Sequence, residues 1–481
     1  MKKSNIFKMI MLVIAAVFIF AACATTVEYT YDAPIAPSEL QPNGQPAVPP
    51  REPLDIPEDG FASAVNEVGF VRDHGFILNY RHWRRAQPDF DWEDVAGNHW
   101  AWGEDDPPVY GSASIVPTLP TFGVGTGDIG ITFFDPVAND GDGRMFVVFG
   151  DSWDGHFNSH SLSGRTMMSQ VLLYTDNLDF TRGIEWSGGW TAANGGTLAT
   201  AQEFINNSWY VGHLIGPGNA GNNPLLSPNG RTNIPTGAIA IPGESNYFSD
   251  YYIFFMEVSG DFTLGGDWPV AANRAIRSTD GGNTWHVVPG LVWTRQDAPN
   301  FGQVFPMWSN CYEWIYIYGI PQARLGSVQL GRVRPQYFDN FEKYEYFVGM
   351  IGATPQWLPG RQGLLRLRGE LAETYVFDGP AGEMNVMFND HLQRYVATYQ
   401  AGATGIVMRT APNPWGPWSA AQTLVTGEMF PRFYGAFTNR YFSANNGQTF
   451  WFLMSQWLVE PGGVNNIANV YDVRFLEVAL N

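Results

Sequence analysis

The stretch 125–153, GTGDIGITFFDPVANDGDGRMFVVFGDSW, is two apolar and aromatic runs joined by a turn rich in Asn, Asp and Gly. Runs of that length and composition read as paired strands, and the residues between them suit a tight hairpin turn. The theme recurs along the chain, each time with a third strand that often ends in Arg or Thr. First strands are expected at 127–136, 233–241, 301–310, 382–391 and 432–442, and second strands at 144–153, 251–258, 314–321, 394–400 and 449–457. Third strands are expected at 170–176, 275–280, 331–336, 405–411 and 470–478. Five meanders of this kind cannot each bury both faces alone, whereas radial stacking covers them and leaves no long exposed edges. The expected fold is therefore all-β, a five-bladed β-propeller over 116–481. The last repeat ends near Leu480, so residues ahead of Asp128 are expected to complete its blade.

Composition narrows the function. The 481 residues carry 27 Lys+Arg against 46 Asp+Glu, a formal charge of −19. Such a chain repels phosphate backbones, which excludes nucleic acid as a partner. With only two Cys, and no HExxH, P-loop or GxSxG string, the sequence offers no zinc-finger, metalloprotease, nucleotide or serine-hydrolase chemistry. No motif supports calcium or any other cofactor. Gly125-x-Gly127-x-x-Gly130 matches a dinucleotide fingerprint only formally, because it leads into a strand instead of following one.

At the N-terminus, Lys2, Lys3 and Lys8 precede an uncharged, mostly apolar run from Met9 to Ala22, the length of an export signal and too short for a membrane span. The run ends Phe20-Ala21-Ala22-Cys23, which resembles a bacterial lipobox. Residues 1–22 are thus read as a lipoprotein signal peptide and Cys23 as the acylated mature N-terminus, anchoring an exported protein to the cell envelope. Pro-rich 23–50 reads as an extended tether. Residues 51–115 lack clean periodicity and are expected to form an arm packed on the propeller, which itself is expected to be a monomer. Cys311 reads as a small buried hydrophobe.

Ser278-Thr279-Asp280-Gly281-Gly282-Asn283-Thr284-Trp285 fits the Asp-box pattern S-x-D-x-G-x-T-W. That turn is structural and belongs on the face away from a central site, so Asp280 is a poor candidate for chemistry. In a propeller, the starts of first strands and the ends of second strands converge on one face. This rule selects Asp128, Asp151 and Glu383 as candidate catalytic acids, and Trp153, His156, His160, Arg165, Gln303, Arg432 and Tyr434 as candidate substrate-binding residues. Asp135, Asp140 and Asp142 fall at the opposite end and read as turn residues. Carboxyl pairs that divide acid and base roles are what glycoside hydrolysis requires, while aromatic rings stack on sugars and Arg, His and Gln bind hydroxyls. The same acids also suit inter-strand hydrogen bonding.

The ordered segments GTGDIG, FGDSW, NIPTGAI, GEMNVMFNDHLQRYVATY, GPWS (416–419) and FYGAF (433–437) resemble the DUF4185 family, members of which form glycoside hydrolase family 183, bacterial endo-acting D-arabinofuranosidases. The resemblance runs from about 123 to the C-terminus. It implies a five-bladed propeller, with the family's paired aspartates at Asp128 and Asp151 and its GE segment at Glu383. The leading expectation is a surface-anchored hydrolase of a furanose-containing polysaccharide, α-D-arabinan being the substrate implied by the resemblance. The alternative is a non-catalytic glycan-binding or scaffolding propeller. A third option, a sialidase, would need an arginine cluster for its substrate carboxylate, and the charge of −22 left after removal of the signal's three Lys weighs against an anionic substrate.

Overall fold

The computed structural model describes residues 61–62, 67–78, 114, 118–153, 167–214, 232–258, 269–322, 324, 326–369, 371–430, 432–458 and 470–481. The signal peptide, Cys23, the tether, most of the 51–115 arm, and His156, His160 and Arg165 lie outside the described residues.

Two strands precede the repeats, β1 (Phe61–Ala62) and β2 (Val68–Phe76). Blade 1 comprises β3 (Thr126–Asp135), β4 (Arg144–Trp153), β5 (Met167–Ser169), β6 (Leu172–Thr175), β7 (Gly188–Thr191) and β8 (Thr197–Thr200). Blade 2 is β9 (Thr232–Ile241), β10 (Asp250–Val258), β11 (Val270–Ser278) and β12 (His286–Thr294). Blade 3 is β13 (Gln303–Trp308), β14 (Ile315–Ile320), β15 (Gln329–Val333), β16 (Glu345–Ile351) and β17 (Thr354–Pro359). Blade 4 is β18 (Met384–Asn389), β19 (Arg394–Gln400), β20 (Gly405–Ala411) and β21 (Gln422–Thr426). Blade 5 is β22 (Phe433–Phe437), the short β23 (Ser443–Ala444), β24 (Thr449–Leu458) and β25 (Val470–Leu480).

The five sheets close into a ring. Inner strand β3 packs against β9, β9 against β13, β13 against β18, β18 against β22, and β22 back against β3. The protein is an all-β five-bladed propeller. Each inner strand is the edge of its own sheet, which is why Pro235 and Pro306 are tolerated there without loss of a ladder hydrogen bond. Yet β3 is buried along its whole length, because neighbouring blades cover both of its faces. Blade 5 runs in the order β22-β24-β25-β2-β1, so the segment ahead of the first repeat supplies its outer strands. This pairs the two ends of the described chain, Val68 opposite Leu480, and leaves the ring with no unpaired junction.

Asp135 departs from the bland turn role expected of it. It is fully buried between blades 1 and 2, where its carboxylate accepts from the Ser249 amide (2.9 Å), the Ser249 hydroxyl (2.7 Å) and the Tyr251 hydroxyl (2.6 Å). The turn 278–285, between β11 and β12, is tied internally. Asp280 accepts from the Thr284 hydroxyl (2.6 Å), the Thr284 amide (2.8 Å) and the Ser278 hydroxyl (2.8 Å). Ser278 pairs with Tyr251 near the start of β10, so this turn sits at the opposite end of the blade from the start of β9.

Candidate functional site

Asp128 is the third residue of β3, in a segment that does not run straight. The β3–β4 register shifts on both sides of Ile129, whose φ of 69° is followed by 100° at Gly130. Left-handed backbone is costly for a β-branched residue, about 1–3 kcal/mol, and persists only where surroundings enforce it. Ser455 of β24 does so here, its hydroxyl taking the Ile129 amide at 2.7 Å. The bulge turns Asp128 out of the ladder and towards the end of β4.

There Asp128 is only 9% exposed. Its Oδ2 accepts from the hydroxyls of Tyr471 (2.7 Å) and Tyr434 (2.9 Å), while Oδ1 is buried and meets no side-chain donor. Oδ1 occupies the space that a side chain at residue 150 would need: a Cβ on Gly150 would stand 2.4 Å from it. The glycine of FGDSW is thus required by the neighbouring carboxylate. Gly150→Ala is expected to displace Asp128 at an overpacking cost of about 1–3 kcal/mol, which a thermal melt of the variant against wild type checks.

Asp151 follows at once, half-buried, with its own Oδ1 unpartnered. Burial, and then the adjacent Asp128 charge, push the Asp151 carboxyl up to about 8. Burial also raises Asp128, to about 6; the Tyr471 and Tyr434 hydrogen bonds and the Asp151 amide oppose the rise, and the Glu383 charge adds to it. Two acids of one residue type are therefore driven apart by what surrounds them.

Glu383, 2% exposed, stands immediately ahead of β18, and its Oε2 accepts from the Arg324 Nε at 2.9 Å. Burial works against the Arg324 charge, but Glu383, Tyr434 and Asp128 outweigh it and hold the guanidinium's pKa above its ordinary value. Arg324 also lies over the Tyr434 ring, 4.7 Å from its centroid. Blades 4, 3, 5 and 1 are thereby linked in turn by Glu383, Arg324, Tyr434 and Asp128.

The remaining expected binding residues divide. Tyr434 is 7% exposed and its hydroxyl is taken by Asp128. Trp153, also 7% exposed, packs edge-on against the Tyr471 ring at 4.9 Å. Gln303 is fully buried at the start of β13. Arg432 is exposed, with φ 56°, just ahead of β22. Tyr471 and Arg324 were not among the expected residues. Among the described residues, no group of three or more His, Cys, Asp or Glu is placed to hold a metal ion.

The model of the family described as a domain of unknown function, DUF4185, matches residues 114–475. The chain belongs to this family. The matched segment begins ahead of β3 and ends within β25, so it takes in the inner strand of every blade and all the acids described above. A search of curated proteins gives no match. Among solved structures, a candidate hydrolase from Bacteroides ovatus is similar at 13% identity and TM-score 0.46, over 74% of this chain and 86% of that one. The exo-β-1,3-galactanase of Phanerochaete chrysosporium is similar at 11% identity and TM-score 0.40, over 82% of this chain and 63% of that one. A family 117 glycoside hydrolase from Zobellia galactanivorans is similar at 11% identity and TM-score 0.36, over 75% of this chain and 86% of that one. No residue role follows from likenesses at that level.

Proposed function

We propose that this DUF4185 member is a glycoside hydrolase that cleaves a furanose-containing polysaccharide, α-D-arabinan being the first substrate to try. Asp151 is the general acid and Asp128 its ionised partner. The observation that carries this reading is that the bulge at Ile129 brings Asp128 against the end of β4 beside Asp151, so that two acids share one buried place, where burial pushes one up to about 8 and the other to about 6. Between those values Asp151 holds its proton for the leaving oxygen while Asp128 is negative and able to act as base or nucleophile. Activity is therefore expected to follow a bell centred near pH 7. Glu383, with Arg324 on its carboxylate, supports the site electrostatically and transfers no proton.

The test is incubation of the mature protein with a polysaccharide panel that includes D-arabinan, at pH 7, with release of reducing ends as the readout. Wild type is expected to release them and Asp128→Asn to release almost none. Glycan binding with no new reducing ends from any furanose polymer would sink the reading.

The resemblance of Phe20-Ala21-Ala22-Cys23 to a lipobox supports an acyl anchor at Cys23 and a site of action at the cell envelope. Cys23→Ser is expected to move the protein from the detergent-soluble membrane fraction into the aqueous one and to abolish fatty-acid labelling. Continued labelling of that variant would remove the anchor from the proposal.

A further inference from the structure

We propose that Tyr434 and Tyr471 are positioning residues that hold Asp128 by one oxygen and turn the other towards Asp151 and the reacting atoms. This rests on the reading of Asp128 as the ionised partner.

Both hydroxyls converge on Oδ2, at 2.9 and 2.7 Å, from different strands of blade 5. Each ring is fixed independently: Trp153 meets the Tyr471 ring at 84°, and the Arg324 guanidinium covers the Tyr434 ring. Oδ1 lies in the gap at Gly150, where no side-chain donor reaches it. A carboxylate gripped in this way cannot swing about its χ2 torsion, so the same lone pairs meet the substrate at every turnover.

The phenols also decide the charge. Groups facing Asp128 from the packed elements are Tyr434 on β22, Tyr471 on β25, Asp151 on β4, Glu383 ahead of β18 and Arg324 in the loop after β14. Burial, and then the Asp128 charge, drive both phenols well above their ordinary range, so they remain protonated donors throughout the working pH. A donor that cannot ionise stabilises the charged form of its acceptor more than the neutral one, and removing it raises the acceptor's pKa. Phenylalanine keeps each ring and its packing while deleting the donor, which makes it the appropriate replacement.

In Tyr471→Phe, and separately in Tyr434→Phe, the acidic limb of the kcat/KM profile is expected to move up by about one pH unit while the alkaline limb stays. A role confined to packing would lower the rate equally at every pH and leave the limbs in place, and that result would overturn the proposal. The second readout needs no substrate. The Asp128 carboxyl carbon, followed by NMR in protein labelled with ¹³C-aspartate and assigned by its loss in Asp128→Asn, is expected to titrate about one unit higher in each variant. If wild type cleaves no glycan but this titration moves, the hydrolase reading fails and the positioning role stands. If the titration coincides with wild type, the positioning role fails whatever the activity.

Discussion

Asp151→Asn is expected to lower kcat by about 10²–10⁴-fold, the usual size of a general acid contribution, and at the same time to make the protein more stable in alkaline solution. The two effects share one cause. Burial and the Asp128 charge raise the Asp151 carboxyl from an ordinary 3.8 to about 8. The native state therefore binds a proton that the unfolded chain has already released throughout that interval. By linkage, stability is fully present below about pH 4, is lost progressively as pH rises, and reaches its minimum above about 8. The slope is at most about 1.4 kcal/mol per pH unit, reduced by the solvent that reaches this half-buried side chain. Asp128 contributes a fall of the same sign, confined to the interval between 3.8 and about 6. Thermal midpoints of wild type should accordingly keep falling from pH 6 to 8, while those of Asp151→Asn level off near 6. Asparagine preserves the shape and neutral charge of the protonated acid but has no proton to give, which separates chemistry from folding. Parallel melting curves would show that the carboxyl ionises freely and that the site lacks its acid.

The sequence makes the scaffold more legible than the grip on the acids. Second strands at 144–153 and 394–400 coincide with β4 and β19, because an unbroken aromatic and β-branched run bounded by turn residues has few other conformations. Asp128, Asp151 and Glu383 were accessible for a related reason: in a propeller, position within a strand dictates the face. What surrounds them was not. Tyr471 lies 343 residues from Asp128 and looks like any of the strand aromatics, and only ring closure brings blade 5 beside blade 1. Arg324 sits in the loop after β14 with no motif around it. Ile129 is a strand former by composition, so its left-handed backbone is invisible until Ser455 is seen holding it. Asp135 misled for the opposite reason: an Asp near a hairpin suits turn chemistry, and its burial depends on a serine and a tyrosine contributed by the next blade.

Arg324→Ala should be the most damaging of the changes away from the paired aspartates. Its partner Glu383 has only 3% of its side chain in contact with solvent, whereas a quarter of the Arg324 side chain, 25%, is exposed. Deleting the cation leaves a carboxylate in a dry position with no guanidinium facing it. Removing one member of a buried ion pair costs about 3–5 kcal/mol, and the partial exposure of Arg324 places this case near the lower figure. Activity is expected to fall as well, by about 10²-fold, since the guanidinium also covers Tyr434 and a misplaced positioning group is transmitted to the reacting atoms. The double variant Arg324→Ala/Glu383→Gln separates these effects, because a neutral amide at 383 no longer needs the cation. It should regain most of the lost stability, giving a coupling energy of about 2–3 kcal/mol, yet remain slow, because nothing restores the cover over Tyr434. If instead the double variant regained full activity, Glu383 would be dispensable and the harm done by Arg324→Ala would be the unpaired charge alone. If it regained neither stability nor activity, the ion pair would not be what links blade 4 to Asp128.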